Sequence, residues 1–375
     1  MEKNKIVPKI IECSKLINEK EEKIKLLNPL NDFCSGDVMC DDFFNKDKDI
    51  GKYIDSLKDS EKKKNKIWEI LIKNAYKRYG IDFVKSDIYL LIKKYVTILK
   101  SSDYADNTYY KDIKIDTDIK IGKYLLTKNS CLVGEIMAYD LGEVIDNNIS
   151  VPKLGIWEDN FEYPVLGENG NAWMTITPNE INTMKEMIGH AHGRVLTFGL
   201  GLGYFSYMTS LKDDVESITI IEKSKEVIEV FKKVILPQFK TRAKINIIEA
   251  DLFDYVKGTD IEKEFDYAFV DIWQDCTEVY LYLKTRKALE KVKKIKVDFW
   301  ISSAIEQILL DEILFDYSEL LLGNENGHCS SIDEPILIKK LVKNTLRDLD
   351  IYNMDIKGEV LNLDYMLPKI LAKLE

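Results

Sequence analysis

An α/β fold with a doubly wound, mostly parallel sheet is the class this 375-residue sequence predicts, with a small β subdomain and a helical N-terminal domain ahead of it. Three observations carry that expectation. Between Arg194 and Ile301 short apolar runs alternate with amphipathic segments, the pattern of parallel strands joined by helices. From about Ile119 to Ile176 apolar stretches are cut by Gly, Asn and Pro, the texture of short strands and turns. Residues 1 to about 118 are rich in Lys, Glu, Ile and Leu at helical spacing.

Taken in order, the helical period is clearest in Lys66–Ile72 and in Ile88–Leu99, and a loop rich in Asp with Gly36 and Gly51 is expected over Asn31–Lys52. The boundaries read are 1–118 for the helical domain, 119–176 for the β subdomain, 177–305 for the parallel sheet and 306–375 for a mainly helical extension. Thr177-Pro178-Asn179-Glu180 opens the next helix: a capping threonine, a proline at the first helical position and a glutamate three residues after the cap. Ile181, Met184, Met187 and Ile188 give it one apolar stripe. Strands follow at Arg194–Phe198, Ser217–Ile221, Lys244–Ile248, Tyr267–Val270 and Val297–Ile301. The tail from Ala304 is helical, with loop-like residues at Gly323–Pro335.

Composition narrows the function. At roughly 100–200 residues per domain the chain holds two or three units, each able to bury a core, which excludes a disulfide-stapled miniature scaffold. Acidic residues (64) outnumber basic ones (54), so the whole chain repels nucleic acid and anionic lipid. The excess lies late: positions 1–120 hold 25 basic and 22 acidic residues, the remainder 29 and 42. The run Lys62-Lys63-Lys64 is bordered by Glu61 and Glu69 and reads as a solvated helix face. Six cysteines without a C-x-x-C pair read as reduced thiols of a cytoplasmic protein, and three histidines without helical or cysteine partners suggest no metal site. No apolar leader and no run of about 18 uncharged apolar residues is seen, so neither export nor membrane spanning is expected.

Chemistry concentrates in Arg194–Phe205, an apolar strand running into Gly199, Gly201 and Gly203 and then an aromatic helix. Glycines there let a backbone turn tightly and bring N–H groups against a ligand at a helix N-terminus. The spacing is G-x-G-x-G, and Tyr204 stands where a dinucleotide fingerprint needs its third glycine, which disfavours a nicotinamide or flavin cofactor. An ordinary tight turn explains the glycines alone. Yet Glu222 ends the second strand, 23 positions after Gly199, where a carboxylate can accept from both ribose hydroxyls. Asp251 ends the third, placed to accept from an adenine amine, with Leu252 and Phe253 following to pack on the base. Asp271 ends the fourth and leads into Trp273 and Asp275, so successive strands deliver groups at their C-terminal ends, where open α/β sheets bind ligands. Trp273 at that mouth is a candidate substrate contact.

Over roughly residues 180–305 the chain resembles the class I S-adenosylmethionine-dependent methyltransferases, on the Gly199-x-Gly201-x-Gly203 loop, Glu222, Asp251 and Asp271. That resemblance implies a Rossmann-like sheet, S-adenosylmethionine as cofactor held by Gly199, Gly201, Gly203, Glu222, Asp251 and Leu252, and methyl transfer to a small-molecule acceptor. Where that family often carries an acid two positions before the first glycine, this chain has Thr197. Asp271-Ile272-Trp273-Gln274 replaces the NPPY-type motif of amino-group enzymes, which disfavours nucleic-acid methylation. Upstream, Tyr163–Glu180 followed by a helix and the glycine loop is similar to the spermidine synthases, where a β-rich subdomain also precedes the nucleoside-binding sheet. This implies a second possibility, aminopropyl transfer from decarboxylated S-adenosylmethionine, and a possible homodimer. Asp271 and Asp275 are the nearest counterparts of that family's amine-deprotonating aspartates, although they stand one residue further apart and Leu202 replaces its loop acid. The third possibility is a non-catalytic nucleoside-binding interaction protein, favoured by Thr197.

In the methyltransferase reading the sulfonium is already an activated electrophile. Positioning supplies about 7–11 kcal/mol of the barrier, and what remains is acceptor deprotonation by Asp271 or Asp275.

Overall fold

The computed structural model describes residues 3–34, 52–54, 56–78, 80, 87–145, 149–324 and 333–374. Helix α1 (Lys3–Cys34), α2 (Ser60–Arg78) and α3 (Asp87–Tyr95) come first. The expected loop at Asn31–Lys52 begins later than the sequence suggested, since Asn31–Cys34 continue α1, and its residues 35–51 lie outside the described residues. On α2, Lys64 pairs with Glu61 at 2.9 Å and Lys62 with Asp59 at 3.8 Å, so the lysine run is a solvated, ion-paired face.

The helical reading of Ile88–Leu99 fails at its end. Residues Val96–Leu99 are strand β1, paired in parallel with Leu154–Trp157. Val96 and Leu99 are buried there, and a partner 58 residues away in sequence overrides local helix preference. Two short helices, α4 (Ser101–Ala105) and α5 (Thr108–Asp112), lead into β2 (Ile119–Ile121), β3 (Tyr124–Cys131), β4 (Ile136–Ile145), β5 (Ile149–Trp157), β6 (Phe161–Glu168) and β7 (Asn171–Thr175). These make two sheets, a three-stranded one in the order β1-β5-β4 and a four-stranded antiparallel one in the order β2-β3-β6-β7.

Helix α6 (Pro178–His190) starts where its capping sequence says it should, with the Glu180 carboxylate accepting from the Thr177 N–H at 2.8 Å. Five parallel strands follow, each but the last separated from the next by helix: β8 (Gly193–Phe198), α7 (Tyr204–Ser210), β9 (Val215–Glu222), α8 (Lys225–Val230), β10 (Lys244–Glu249), α9 (Leu252–Gly258), α10 (Ile261–Glu264), β11 (Tyr267–Val270), α11 (Val279–Ala288) and β12 (Lys296–Phe299). Their spatial order is β10-β9-β8-β11-β12. Alternate residues of these strands enter two different cores: Val195, Ile218, Ile220, Tyr267 and Phe269 on one face, Leu196, Phe198, Ile221, Ala268 and Val270 on the other. Burial on both faces is why the strands read as unbroken apolar runs.

The chain ends in α12 (Ser302–Leu321), α13 (Asp333–Arg347) and α14 (Leu363–Leu371). The loop expected over Gly323–Pro335 is shorter than that, because Asp333 already begins α13; residues 325–332 lie outside the described residues. Cys13 and Leu16 of α1 are buried in the same core as Ile305, Leu309 and Ile313 of α12, and Lys20 pairs with Asp311. The two ends of the chain thus share one core, while Leu27 at the other end of α1 packs with Ile67, Trp68 and Ile72 of α2. No helix of the described residues is long and apolar enough to cross a membrane.

Candidate functional site

The parallel sheet reverses its winding between β8 and β11: strands after β8 run outward through β9 to β10, and the chain then returns to β11 on the other side. At such a point the loops from the two central strands diverge and leave a crevice at their C-terminal ends. A cleft of about 590 Å³ opens there, within the roughly 300–1,000 Å³ of small-molecule sites. It is lined by the glycine loop, the ends of β9, β10 and β11, strand β7 and the first turn of α6.

Close approach explains two of the three glycines. Asp271 N donates to Phe198 O at 2.8 Å, which brings the β11 end so near that a Cβ on Gly199 would lie 1.8 Å from the Asp271 carbonyl oxygen. At Gly203, with φ of +74°, a Cβ would lie 2.3 Å from the Phe231 ring. Gly201 is different: only Met174 Sδ, at 3.5 Å, is near its absent side chain, and the residue lines the cleft.

The acids converge on this loop. Glu222 is 6% exposed, and its two oxygens accept from Leu200 N at 3.2 Å and Ser224 N at 2.7 Å. Burial raises its pKa, opposed by those backbone donors. The glycine loop is therefore tied to the second strand through the carboxylate that the sequence assigned to a ribose. Asp251 caps α9, accepting from Phe253 N at 2.8 Å, and Leu252 is buried beside it with both on the cleft wall. Asp271 lies on the same wall, its carboxylate without a hydrogen-bond partner among the described residues. Burial first, then the neighbouring Glu180 and Glu222 carboxylates, push its pKa up to about 8.

Glycines 199, 201 and 203, Glu222, Asp251, Leu252 and Asp271 are thus brought to one cleft. Asp275 also lines it but is exposed and turned toward its own loop, accepting from Thr277 N at 2.7 Å and Thr277 Oγ1 at 2.6 Å. Trp273 also lines the cleft. It is 4% exposed, its Nε1 donates to Trp300 O at 3.1 Å, and its ring stacks on Phe299. The indole forms part of the cleft wall, and its one donor is in use.

Sequence reasoning missed the part of the lining that comes from β7 and the start of α6. Trp173, Met174 and Thr175 of β7 belong to it, and Glu180 turns both carboxylate oxygens to the start of α6, one on Thr175 Oγ1 at 2.9 Å and one on Thr177. The capping box was visible in the sequence; its nearness to Asp271 depends on long-range packing. His190 sits at the other end of the strands, its Nδ1 2.7 Å from Asp298 Oδ2. Among the described residues no group of three or more His, Cys, Asp or Glu is placed to hold a metal ion.

Charge is the remaining feature. Glu180, Glu222, Asp251, Asp271, Asp275 and Glu278 line the cleft, and Lys223 is the one cationic side chain among the described lining residues. Such a surface favours ligands carrying positive charge. No model of a known protein family matches this chain, and no curated protein sequence matches it.

Proposed function

We propose that the cleft binds S-adenosylmethionine in a Rossmann-like sheet and that the protein is a methyltransferase for a small-molecule acceptor. The observation that carries this reading is the convergence of Glu222, Asp251 and Asp271, from the ends of three strands, on one cleft floored by the glycine loop. The residues fit the ligand's parts. Glu222 is held by two backbone donors and keeps lone pairs for ribose hydroxyls; Asp251 and Leu252 offer an acceptor and an apolar face to a base; the side chain missing at Gly201 leaves its edge of the loop open. When bound, the sulfonium supplies an activated methyl group, and the protein's own part is orientation and proton removal.

Asp271 is the base of this proposal. With a pKa near 8 it holds its proton at neutral pH, and a cation in the cleft favours the carboxylate, so a positively charged ligand readies it to accept a proton from the acceptor. Asp275 is a weaker candidate because its carboxylate already serves its own turn.

One observation favours aminopropyl transfer from decarboxylated S-adenosylmethionine as a second reading: six acids face a single lysine, with no guanidinium to pair a ligand carboxylate among the described lining residues. The products separate the two. Incubation with each donor and a panel of amines should release S-adenosylhomocysteine for methyl transfer or methylthioadenosine for aminopropyl transfer. Release of neither, with tight binding of both donors, would move the protein to a non-catalytic nucleoside-binding role.

A further inference from the structure

Two adjacent tyrosines outside the cleft bond to two segments of its lining, the glycine loop and the residues just ahead of α6. Tyr109, on α5, is 1% exposed and its hydroxyl donates to the Leu202 carbonyl at 2.6 Å, inside the glycine loop. The N–H of the same peptide unit, on Gly203, donates to Leu200 O at 2.9 Å, so the Leu202–Gly203 peptide is held at both ends. Tyr110 donates its hydroxyl to the Ile176 carbonyl at 2.5 Å, one residue before the cap of α6 and four before Glu180. Neither tyrosine belongs to the cleft lining.

The platform that carries them is itself fixed to the sheet's helices. Asn107 caps α5 by accepting from Tyr109 N at 3.0 Å and donates through Nδ2 to Tyr204 Oη at 3.0 Å. Asp112 accepts from Tyr207 Oη at 2.5 Å and pairs with Lys240. The backbone of Lys114 exchanges two 2.9 Å bonds with the Gln238 amide. The Tyr109 ring packs at 5.6 Å from Tyr204 and 6.0 Å from Tyr207. Held this way, one short helix sets the spacing between the glycine loop and the Glu180 wall.

We propose that Tyr109 and Tyr110 are positioning residues that fix the width of the cleft, Tyr109 by pinning the Leu202 carbonyl of the glycine loop and Tyr110 by pinning Ile176 ahead of α6. Its consequence for ligand affinity rests on the adenosyl-ligand reading; its structural half does not.

The test uses the full chain with Tyr109→Phe, Tyr110→Phe and a control, Tyr317→Phe, which removes a similar hydroxyl-to-carbonyl bond to Ile351 (2.8 Å) in the C-terminal helices. Hydrogen exchange is followed in peptides covering residues 199–206 and 174–181, and S-adenosylhomocysteine is titrated calorimetrically. Tyr109→Phe should speed exchange in 199–206 about tenfold and weaken ligand binding about tenfold, the scale of one buried hydrogen bond. Tyr110→Phe should speed exchange in 174–181 while leaving 199–206 unchanged. Tyr317→Phe should lower the unfolding midpoint comparably and change neither peptide nor the affinity. Unchanged exchange at the wall assigned to a tyrosine overturns the assignment for that residue, as does an identical profile in the control. A wild-type chain that binds no adenosyl ligand refutes the functional reading, and the exchange results still decide the positioning role.

Discussion

Two aspartates, Asp271 at the end of β11 and Asp316 on α12, show that a displaced pKa by itself does not mark a site. Burial is the first cause of both shifts, to about 8 for Asp271 and about 7 for Asp316, and neighbouring carboxylates add to each, Glu180 and Glu222 in one case and Glu312 in the other. They part in what faces them. Asp316 is fully buried between α12 and α13, with Lys343 Nζ at 3.8 Å and Lys339 Nζ at 4.0 Å. Asp271 faces a 590 Å³ cleft whose other ionisable groups are nearly all acids. A buried acid answered by lysines is a structural ion cluster; an acid facing acids across open space is arranged for a cation that arrives from outside.

The largest effect belongs to Gly199→Ala, which places a Cβ 1.8 Å from the Asp271 carbonyl. The β8–β11 contact must then separate, at a cost on the order of 4 kcal/mol or more, read as a lost or much lowered unfolding midpoint. Asp271→Asn should next slow transfer by about 10²–10⁴-fold while ligand binding persists. In the wild type the acid limb of kcat/KM for the donor should titrate near 8, and that limb should vanish in the variant.

The same substitution has a stability consequence whose sign follows from linkage. The folded Asp271 keeps its proton to about pH 8, whereas in the unfolded chain it ionises near 3.8, so its contribution to stability falls as pH rises between those values. Thermal unfolding at pH 8.5 should find Asp271→Asn more stable than wild type by about 1–3 kcal/mol. Asp316→Asn should flatten the wild-type decline in stability between about pH 4 and pH 7, by on the order of 1–3 kcal/mol, and leave ligand titrations unchanged. An equal loss of transfer rate in the two variants would erase the distinction drawn between them. The smallest change expected is from Trp273→Phe, which removes the bond to Trp300 O: about 1 kcal/mol of stability and no more than a few-fold in affinity.

What was legible in the sequence follows from how locally each feature is determined. The five parallel strands announced themselves because both faces are covered, making Val195–Phe198 and Ile218–Ile221 continuous apolar runs. The α6 start was legible because Thr177, Pro178 and Glu180 act within one turn. Strand β1 was not, because Val96–Leu99 continues an apolar helical pattern and becomes a strand only through pairing with Leu154–Trp157. The acids at strand ends were visible one by one, as was the glycine loop. Their mutual approach was not: the reason Gly199 must be glycine is a carbonyl 72 residues later, and the tyrosines that hold the cleft walls come from α5, outside the parallel sheet. The Trp273 indole's bond to Trp300 and its stacking on Phe299 were not legible either, because a position after a strand end does not say which way the ring turns.

The most direct test of adenosyl-ligand binding in the cleft is a calorimetric titration of wild type and Glu222→Ala with S-adenosylmethionine, its decarboxylated form and S-adenosylhomocysteine. Saturable binding of at least one of the three to the wild type is expected, with a loss of about 100-fold or more in Glu222→Ala, the scale of two charge-assisted hydrogen bonds. No binding to the wild type, or equal binding to both proteins, would contradict it.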